Sequence, residues 1–340
     1  MNAFQKIAEK FKPKPTDVNG IDLDTSGTKI VRVRKTGEEF TLLGVDVLPA
    51  IDCSQQPAHT LTIPAKLRAS YAALCLNAHG TSLKILTTPG AIDESFDQKL
   101  ARNLGLAEDT EDRLGYRLLA EGSGRTESRV LAVGIPEHDA TNCLSLFPSG
   151  LPAPWSLEAS PVATLTAFEA GPVMTQESPT LGLIDFSSRA CCFSIFHKKS
   201  LVLLRSFDFG TEKVFSKITT SLNVDHATAS NILADEAFDV SDLLHDILQP
   251  LFSQLVVSKE FIERRDSCSV QALYISGAFS KSDTAIRLME KALNISILPW
   301  DPFSIPNLST PTPLSEEYDR NRWQFGAALG AALGALEEEA

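Results

Sequence analysis

From Val18 onward, apolar residues come in short runs separated by polar turns, the pattern of strands joined by hairpins. Val18–Leu23 is an apolar run, Asp24–Gly27 a polar turn, and Lys29–Arg34 an alternating segment. Thr36-Gly37-Glu38 turns again into a third run, Phe40–Leu48. The same grammar returns at Leu181. Leu183–Phe186 is apolar, Ser187–Arg189 turns, Ala190–His197 is a strand, Lys198–Ser200 turns, and Leu201–Phe207 is a third strand. Ile21-Asp22 and Ile184-Asp185 hold equivalent places, 163 residues apart. That period is too long for a solenoid and predicts duplicated domains. Helical sequence is expected after each meander, giving mixed sheets with helices packed on them.

The stretch between the repeats reads as a small α/β insert over about residues 89–156. Ser82–Thr88 is a strand ending at Pro89-Gly90, and Asp93–Leu104 is a helix stopped by Gly105. Tyr116–Glu121 and Ser128–Ile135 are strands around the loop Gly122-Ser123-Gly124-Arg125. A helix from about Glu137 to Leu146 precedes the proline-rich Pro148–Pro154. Gly171–Pro179 reads as a linker. The first lobe is expected to comprise residues 17–88, 157–180 and 322–340, and the second residues 181–321.

Residues 1–16 form a basic leader with Phe4, Ile7, Ala8 and Phe11 on one helical face. It reads either as a loosely ordered end or as a piece that touches an inner membrane surface or a partner. In the second half, helices are expected at Thr211–Leu222, Asp225–Glu236 and Val240 to about Arg264, the last kinked or interrupted by Pro250. Val270–Ile275 is a strand running into Ser276-Gly277-Ala278. Lys281–Leu293 is helical, Ile295–Leu298 strand-like and Pro306–Pro313 a polar loop. Arg322–Leu336 is a small-residue helix whose Gly326, Gly330 and Gly334 permit close packing on a sheet.

Composition narrows the function. The 340 residues are 43% hydrophobic, enough for two or more packed lobes. A formal charge of −12 argues against nucleic acid as a partner, because phosphate binding draws on an excess of Lys and Arg. Six cysteines without C-x-x-C spacing, Cys191 and Cys192 among them, read as small buried hydrophobes in a reducing compartment. The scattered histidines offer no zinc spacing. Glu108–Asp112 and Glu337-Glu338-Glu339 read as solvated acidic surface, and Trp155, Trp300 and Trp323 as packing anchors. No run approaches the roughly 20 apolar residues of a membrane span, and Met1–Pro15 lacks a signal-peptide core, so a cytoplasmic location is expected.

A turn rich in Gly, Ser and Thr presents backbone N–H groups and hydroxyls to phosphate oxygens, and a carboxylate just before it can orient Mg²⁺ through waters. Asp22 with Thr25, Ser26, Gly27 and Lys29 has these ingredients, as does Asp185 with Ser187 and Ser188. Asp22 and Asp185 are the candidate metal-orienting groups.

The order of these segments resembles the PilM family of actin-like proteins of type IV pilus machines, itself similar to the cell-division protein FtsA. The resemblance runs from Asn19 to Leu336. It rests on Gly20-Ile21-Asp22-Leu23 with Lys29, on Leu183-Ile184-Asp185-Phe186-Ser187-Ser188, and on Phe207-Asp208-Phe209-Gly210 leading a helix. Tyr274-Ile275-Ser276-Gly277-Ala278, Trp300-Asp301-Pro302-Phe303 and Phe325-Gly326-Ala327-Ala328-Leu329-Gly330 complete it.

The resemblance implies an actin-like, ribonuclease H-like α/β fold of duplicated domains with a small inserted subdomain. It implies an ATP–Mg cleft that includes Gly210, Gly277 and Ala278. It also implies a scaffold that holds the cytoplasmic N-terminal tail of a PilN-like single-pass membrane protein, in a groove between the first lobe and the insert, at the inner face of the inner membrane. Self-association and the choice between pilus and type II secretion assemblies stay open.

Three departures weaken the nucleotide expectation. Asp24 stands where the family's first Asp-x-Gly turn has glycine, Ser187 stands likewise in the second, and Ala278-Phe279 follow Gly277 where more glycine is expected. A carboxylate about 4 Å from a phosphate costs roughly 1 kcal/mol in water and about 4 kcal/mol at an effective dielectric near 20. An ATPase or small-molecule kinase of this fold needs a general base near the γ-phosphate, and no carboxylate is marked as one. An FtsA-like filament protein is expected to end in an amphipathic membrane helix, whereas Ala335–Ala340 is acidic.

Overall fold

The computed structural model describes residues 14–92, 94–107, 111–122, 126–147, 150–174, 179–234, 239–310 and 316–337. The leader helix expected at Asn2–Phe11, most of the Glu108–Asp112 cluster, Ser123-Gly124-Arg125 and Glu338-Glu339 lie outside these residues. The chain divides into two compact units. One takes its described residues from 1–76, 139–174 and 302–340, the other from 77–138 and 175–301.

The first unit is built on a six-stranded sheet. β1 (Asp17–Leu23), β2 (Thr28–Thr36) and β3 (Glu39–Leu48) form the expected antiparallel meander. β4 (Tyr71–Leu76) pairs parallel with β1, and β8 (Ala153–Ala159) pairs parallel with β4. A two-residue strand, β14 (Leu308–Ser309), adds to the far side of β3.

No α-helix follows this meander. Residues 49–70 run as coil with one 3₁₀ turn at Ala65–Leu67 before β4 starts. Pro49, Pro57 and Pro64 break the stretch too often for a helix to propagate.

The sheet carries two helices, α3 (Ser160–Ala170) and α9 (Gly326–Glu337). α3 is entered through Pro161 in its first turn, where a missing N–H costs nothing. α9 is apolar on all sides, as a helix enclosed by its neighbours must be, and nearly every residue from Gly326 to Leu336 is buried. It is enclosed because two glycines give way. A Cβ on Gly20 of β1 would lie 1.8 Å from the Ala328 carbonyl oxygen, and one on Gly330 would lie 1.7 Å from that of Ala163. The glycine that brings helix and sheet together therefore sits on the strand. Gly330 serves helix–helix contact with α3, and a Cβ on Gly334 would meet nothing closer than 3.9 Å.

The second unit repeats the strand order. β9 (Leu181–Phe186), β10 (Cys191–His197) and β11 (Ser200–Phe207) form an antiparallel meander. β12 (Ala272–Gly277) and β13 (Ile297–Pro299) add parallel to β9. The orders β3-β2-β1-β4-β8 and β11-β10-β9-β12-β13 are the same topology, which establishes the duplication.

Here three helices follow the meander: α4 (Thr211–Leu222), α5 (His226–Ala234) and α6 (Ser241–Asp266). α7 (Asp283–Leu293) joins β12 to β13. Leu244, Leu248, Leu251, Leu255 and Ile262 give α6 its buried stripe on the sheet. Pro250 does not interrupt α6, which runs 26 residues through it. The proline lies on the exposed face, where water can satisfy the carbonyl it leaves without a donor.

A separate three-stranded sheet belongs to this unit, ordered β5-β7-β6 from β5 (Ser82–Pro89), β6 (Asp112–Ala120) and β7 (Glu127–Pro136). The strand expected at Ser82–Thr88 is thus part of the small sheet. α1 (Glu94–Leu104) covers one face, with Phe96, Leu100 and Leu104 on Val130 and Ala132. α2 (Glu137–Ser145) follows β7, and a short α8 (Glu316–Asn321) precedes α9.

Candidate functional site

The two Asp-bearing strand ends lie at matching places, at or next to the ends of β1 and β9, where each chain turns into its hairpin. In the first unit, Asp22 is 6% exposed and accepts a hydrogen bond from Ser160 Oγ at 2.6 Å. The Cys75 thiol lies 3.7 Å from the same carboxylate oxygen. Burial, followed by the Asp22 charge, pushes that thiol well above its ordinary pKa.

The turn that follows closes on itself. Gly27 N–H donates to the Asp24 carbonyl at 3.1 Å, and Gly27 adopts φ of +135°, a value that favours glycine. The Asp24 side chain folds back over the turn. It accepts from Thr25 Oγ1, Ser26 N–H and Ser26 Oγ, each at 3.3 Å, and from Lys29 Nζ at 3.4 Å. Lys29 Nζ also donates to Ser26 Oγ at 2.8 Å. The Asp24 and Lys29 side chains are only 6% and 4% exposed. Buried charges must be compensated, and here the turn compensates Lys29 from within.

In the second unit the turn after Asp185 is knitted by Ser187. Its Oγ donates to the Ala190 carbonyl at 2.9 Å, accepts from Ala190 N–H at 3.1 Å and accepts from Asn77 Nδ2. The N-terminus of α4 rests on the same turn. Thr211 N–H donates to the Ser187 carbonyl at 3.0 Å and Glu212 N–H to the Ser188 carbonyl at 2.9 Å. These are two of the donors a helix start leaves open for an anion, and the chain itself takes them. Gly210 makes the approach possible, since a Cβ there would lie 2.1 Å from the Ser188 carbonyl oxygen.

β12 runs parallel beside β9, with Ser276 opposite Asp185 and Gly277 opposite Phe186. Gly277 has φ of +89°, and a Cβ would come within 2.0 Å of the Phe186 carbonyl oxygen. A 3₁₀ turn, Ala278–Lys281, follows directly. Ala278 is half-buried, and the next side chain, Phe279, points into the core edge-on to Phe186 at 4.8 Å.

Asp22, Thr25, Ser26, Gly27 and Lys29 therefore gather at one hairpin in the first unit. Asp185, Ser187, Ser188, Gly210, Gly277 and Ala278 gather in the second. Two contributors escaped the sequence reading: Ser160, which grips Asp22 from the start of α3, and Asn77, which binds Ser187. A serine placed next to the helix-starting Pro161 was the available signal for the first; nothing local marks the second. Among the described residues, no group of three or more His, Cys, Asp and Glu side chains is arranged to hold a metal ion. Cys191 and Cys192 are both buried free thiols on β10, as expected of small hydrophobes.

No family model matches the chain, and no curated protein matches it. Solved structures do. The structure of a PilM-PilN type IV pilus biogenesis complex superposes with a TM-score of 0.79 at 18% identity, covering 96% of this chain and 100% of that one. A Bacteroides thetaiotaomicron protein described as having an actin-like ATPase fold and unknown function aligns with a TM-score of 0.45 at 12% identity, over 89% of this chain and 95% of that one. An archaeal actin homologue aligns with a TM-score of 0.43 at 13% identity, over 94% and 98%. Among the described residues, no helix is long and apolar enough to cross a membrane. With the same strand order in both units and near-complete overlap with the pilus protein, the chain has a PilM-like, actin-like fold.

Proposed function

We propose that the chain is an actin-like scaffold of a type IV pilus or type II secretion assembly whose nucleotide chemistry is weakened. In this reading it works at the inner face of the inner membrane and holds the cytoplasmic tail of a PilN-like single-pass partner. The fold overlap with the PilM-PilN complex supports the scaffold.

The observation that carries the weakened chemistry is the Asp24 carboxylate. It engages Ser26 N–H, the Thr25 and Ser26 hydroxyls and Lys29, the groups that a phosphate would need. For Lys29 to serve ATP it must leave a buried partner, and breaking such a pair costs about 3–5 kcal/mol. The incoming phosphate would also meet a fixed negative charge. Ser187 and Ser188 add to this, because their carbonyls hold the first N–H groups of α4. These residues fit a closed turn better than a phosphate cradle, and no catalytic step through ATP follows from them.

Calorimetric titration of the full chain with Mg-ATP tests the reading. No heat is expected up to millimolar nucleotide, and binding near micromolar overturns the weakened site. Asp24→Gly, which frees Lys29 and removes the charge, is expected to tighten binding by about tenfold or more. Asp24→Asn removes the charge but keeps an acceptor oxygen for Thr25 Oγ1 and Ser26 N–H, and so guards against a folding artefact. The scaffold half is tested separately: a synthetic PilN-like tail peptide should slow hydrogen exchange within residues 82–136, and unchanged exchange there removes it.

A further inference from the structure

At the other end of the first unit's sheet, some seven residues of β1 away from the Asp24 turn, the strand starts enclose a cavity of about 340 Å³. Asp17, Arg32, Arg68, Ala69, Ser70 and Leu151 line it. At strand rise the separation from the turn is roughly 20 Å, so this is a different site.

Its charge is unusual for a chain with a net charge of −12. Arg32 grips Asp17 with two hydrogen bonds, Nε at 2.9 Å and Nη2 at 2.8 Å, and Arg34 Nη2 reaches the same carboxylate at 2.8 Å. Asp17 is therefore already over-compensated. Arg68 adds a further positive charge and is itself barely engaged. Its Nε makes one long contact with the Ile63 carbonyl at 3.5 Å. Among the described residues its Nη1 and Nη2 have no partner, nor does Ser70 Oγ. At the rim stands Leu151, 75% exposed, just ahead of the edge strand β8.

We propose that this cavity is a docking site for an acidic side chain on an extended segment of a protein partner, with Arg68 and Ser70 binding the carboxylate and Leu151 packing against an apolar neighbour. The charge selects an anion, and Asp17 narrows the choice. Arg32 and Arg68 in the lining, with Arg34 reaching Asp17 from beside it, outweigh the single Asp17 carboxylate. A phosphate dianion would set two charges against Asp17 where a carboxylate sets one. Arg68 can meet a carboxylate with its two free Nη groups, the forked geometry that guanidinium recognition uses. Leu151 gives an otherwise solvated ion pair an apolar edge and ties the site to a peptide instead of a free acid.

The test uses the full chain and fluorescence polarisation of an end-capped, fluorescein-labelled heptapeptide, Gly-Ser-Leu-Glu-Leu-Ser-Gly. It is compared with the same peptide carrying Gln, Lys or phosphoserine at the centre. The Glu peptide is expected to bind about tenfold tighter than the Gln or Lys peptides. Arg68→Glu should abolish that preference and Leu151→Ser should weaken binding severalfold. Both side chains are exposed, so the melting temperature of each variant should match the parent. Any of these results overturns the proposal: no binding, equal affinity for Glu and Gln, indifference to Arg68→Glu, a stronger phosphoserine peptide, or full competition by excess acetate or inorganic phosphate. A stronger phosphoserine peptide would mark a phosphopeptide site, and full competition by the free anions an anion site without a peptide.

Discussion

At the residue scale, single atoms decide what each turn can do. Gly277 combines a φ of +89° with a backbone oxygen 2.0 Å from where its Cβ would be. No side-chain rotation relieves that overlap. Gly277→Ala is expected to lose about 3 kcal/mol or more in chemical denaturation, because β12 must move away from β9. Asp17 offers a gentler and pH-dependent case. Burial raises its carboxyl, but the hydrogen bonds from Arg32 and Arg34 more than offset this and hold it below the ordinary value of 3.8. A depressed folded-state pKa means that the stabilisation is present above the unfolded value and is lost as pH falls through the folded one. Asp17→Asn is therefore expected to cost roughly 1–2 kcal/mol at neutral pH, discounted for partial exposure, and almost nothing in strong acid. Parallel urea melts of parent and variant across that range check the sign; a gap that widens in acid would contradict it.

At the element scale, the structure sorts glycines that the sequence lists as equals. Gly326, Gly330 and Gly334 share one helical spacing, yet only one of the last two is pressed. Gly330→Ala must push α9 off α3, whereas Gly334→Ala has room and gains helix propensity of about 0.8–1.0 kcal/mol. Opposite shifts in melting temperature are expected, and a matching loss in both would show that the contact at Ala163 is not the determinant. The same contrast explains what could be read beforehand. The meanders at Val18 and Leu181 were legible because alternation and turn residues agree there, and α4 was legible because its apolar face repeats cleanly. β4 was missed because Tyr71–Leu76 is rich in Ala and Leu and nearly all buried, which erases alternation. β8 was missed because Pro152 and Pro154 flank its start, yet an edge strand tolerates proline. The missing helix after β3 shows the limit of arguing by duplication, since one copy kept three helices where the other kept a proline-broken coil. At the candidate site, the positions of Asp22, Lys29, Asp185 and Gly277 were legible, at strand ends beside the turns. That Asp24 would face Lys29 was not, because turn conformation decides which neighbour a side chain meets.

At the scale of the whole molecule, both units bury thiols, and this gives a probe of their integrity. Cys53, Cys75 and Cys143 lie in the first unit, and Cys191, Cys192 and Cys268 in the second; all but Cys268 are buried. Reaction with a disulfide reagent needs both access and the thiolate. Burial denies the first. It also denies the second, because it pushes Cys75, Cys191 and Cys192 above the ordinary thiol value, with the carboxylates of Asp22 and Asp185 adding to the effect. Half-buried Cys268, at the end of α6, is expected to react first in the native chain, and the other five only as fast as their unit opens. The order can be read by quenched labelling and peptide mass mapping, with denaturant as the reference for full reaction. Labelling of Cys75 ahead of Cys268 would mean that the β1–β4 region opens readily. The closed turn at Asp24, which lies at the end of that same strand pair, could then not be the resting state of the chain. Slow labelling there, with Asp24→Gly leaving it slow, would show that the self-compensated turn can be altered without loosening the sheet beneath it. Under that condition, a gain of nucleotide binding in Asp24→Gly reports on charge and not on disorder.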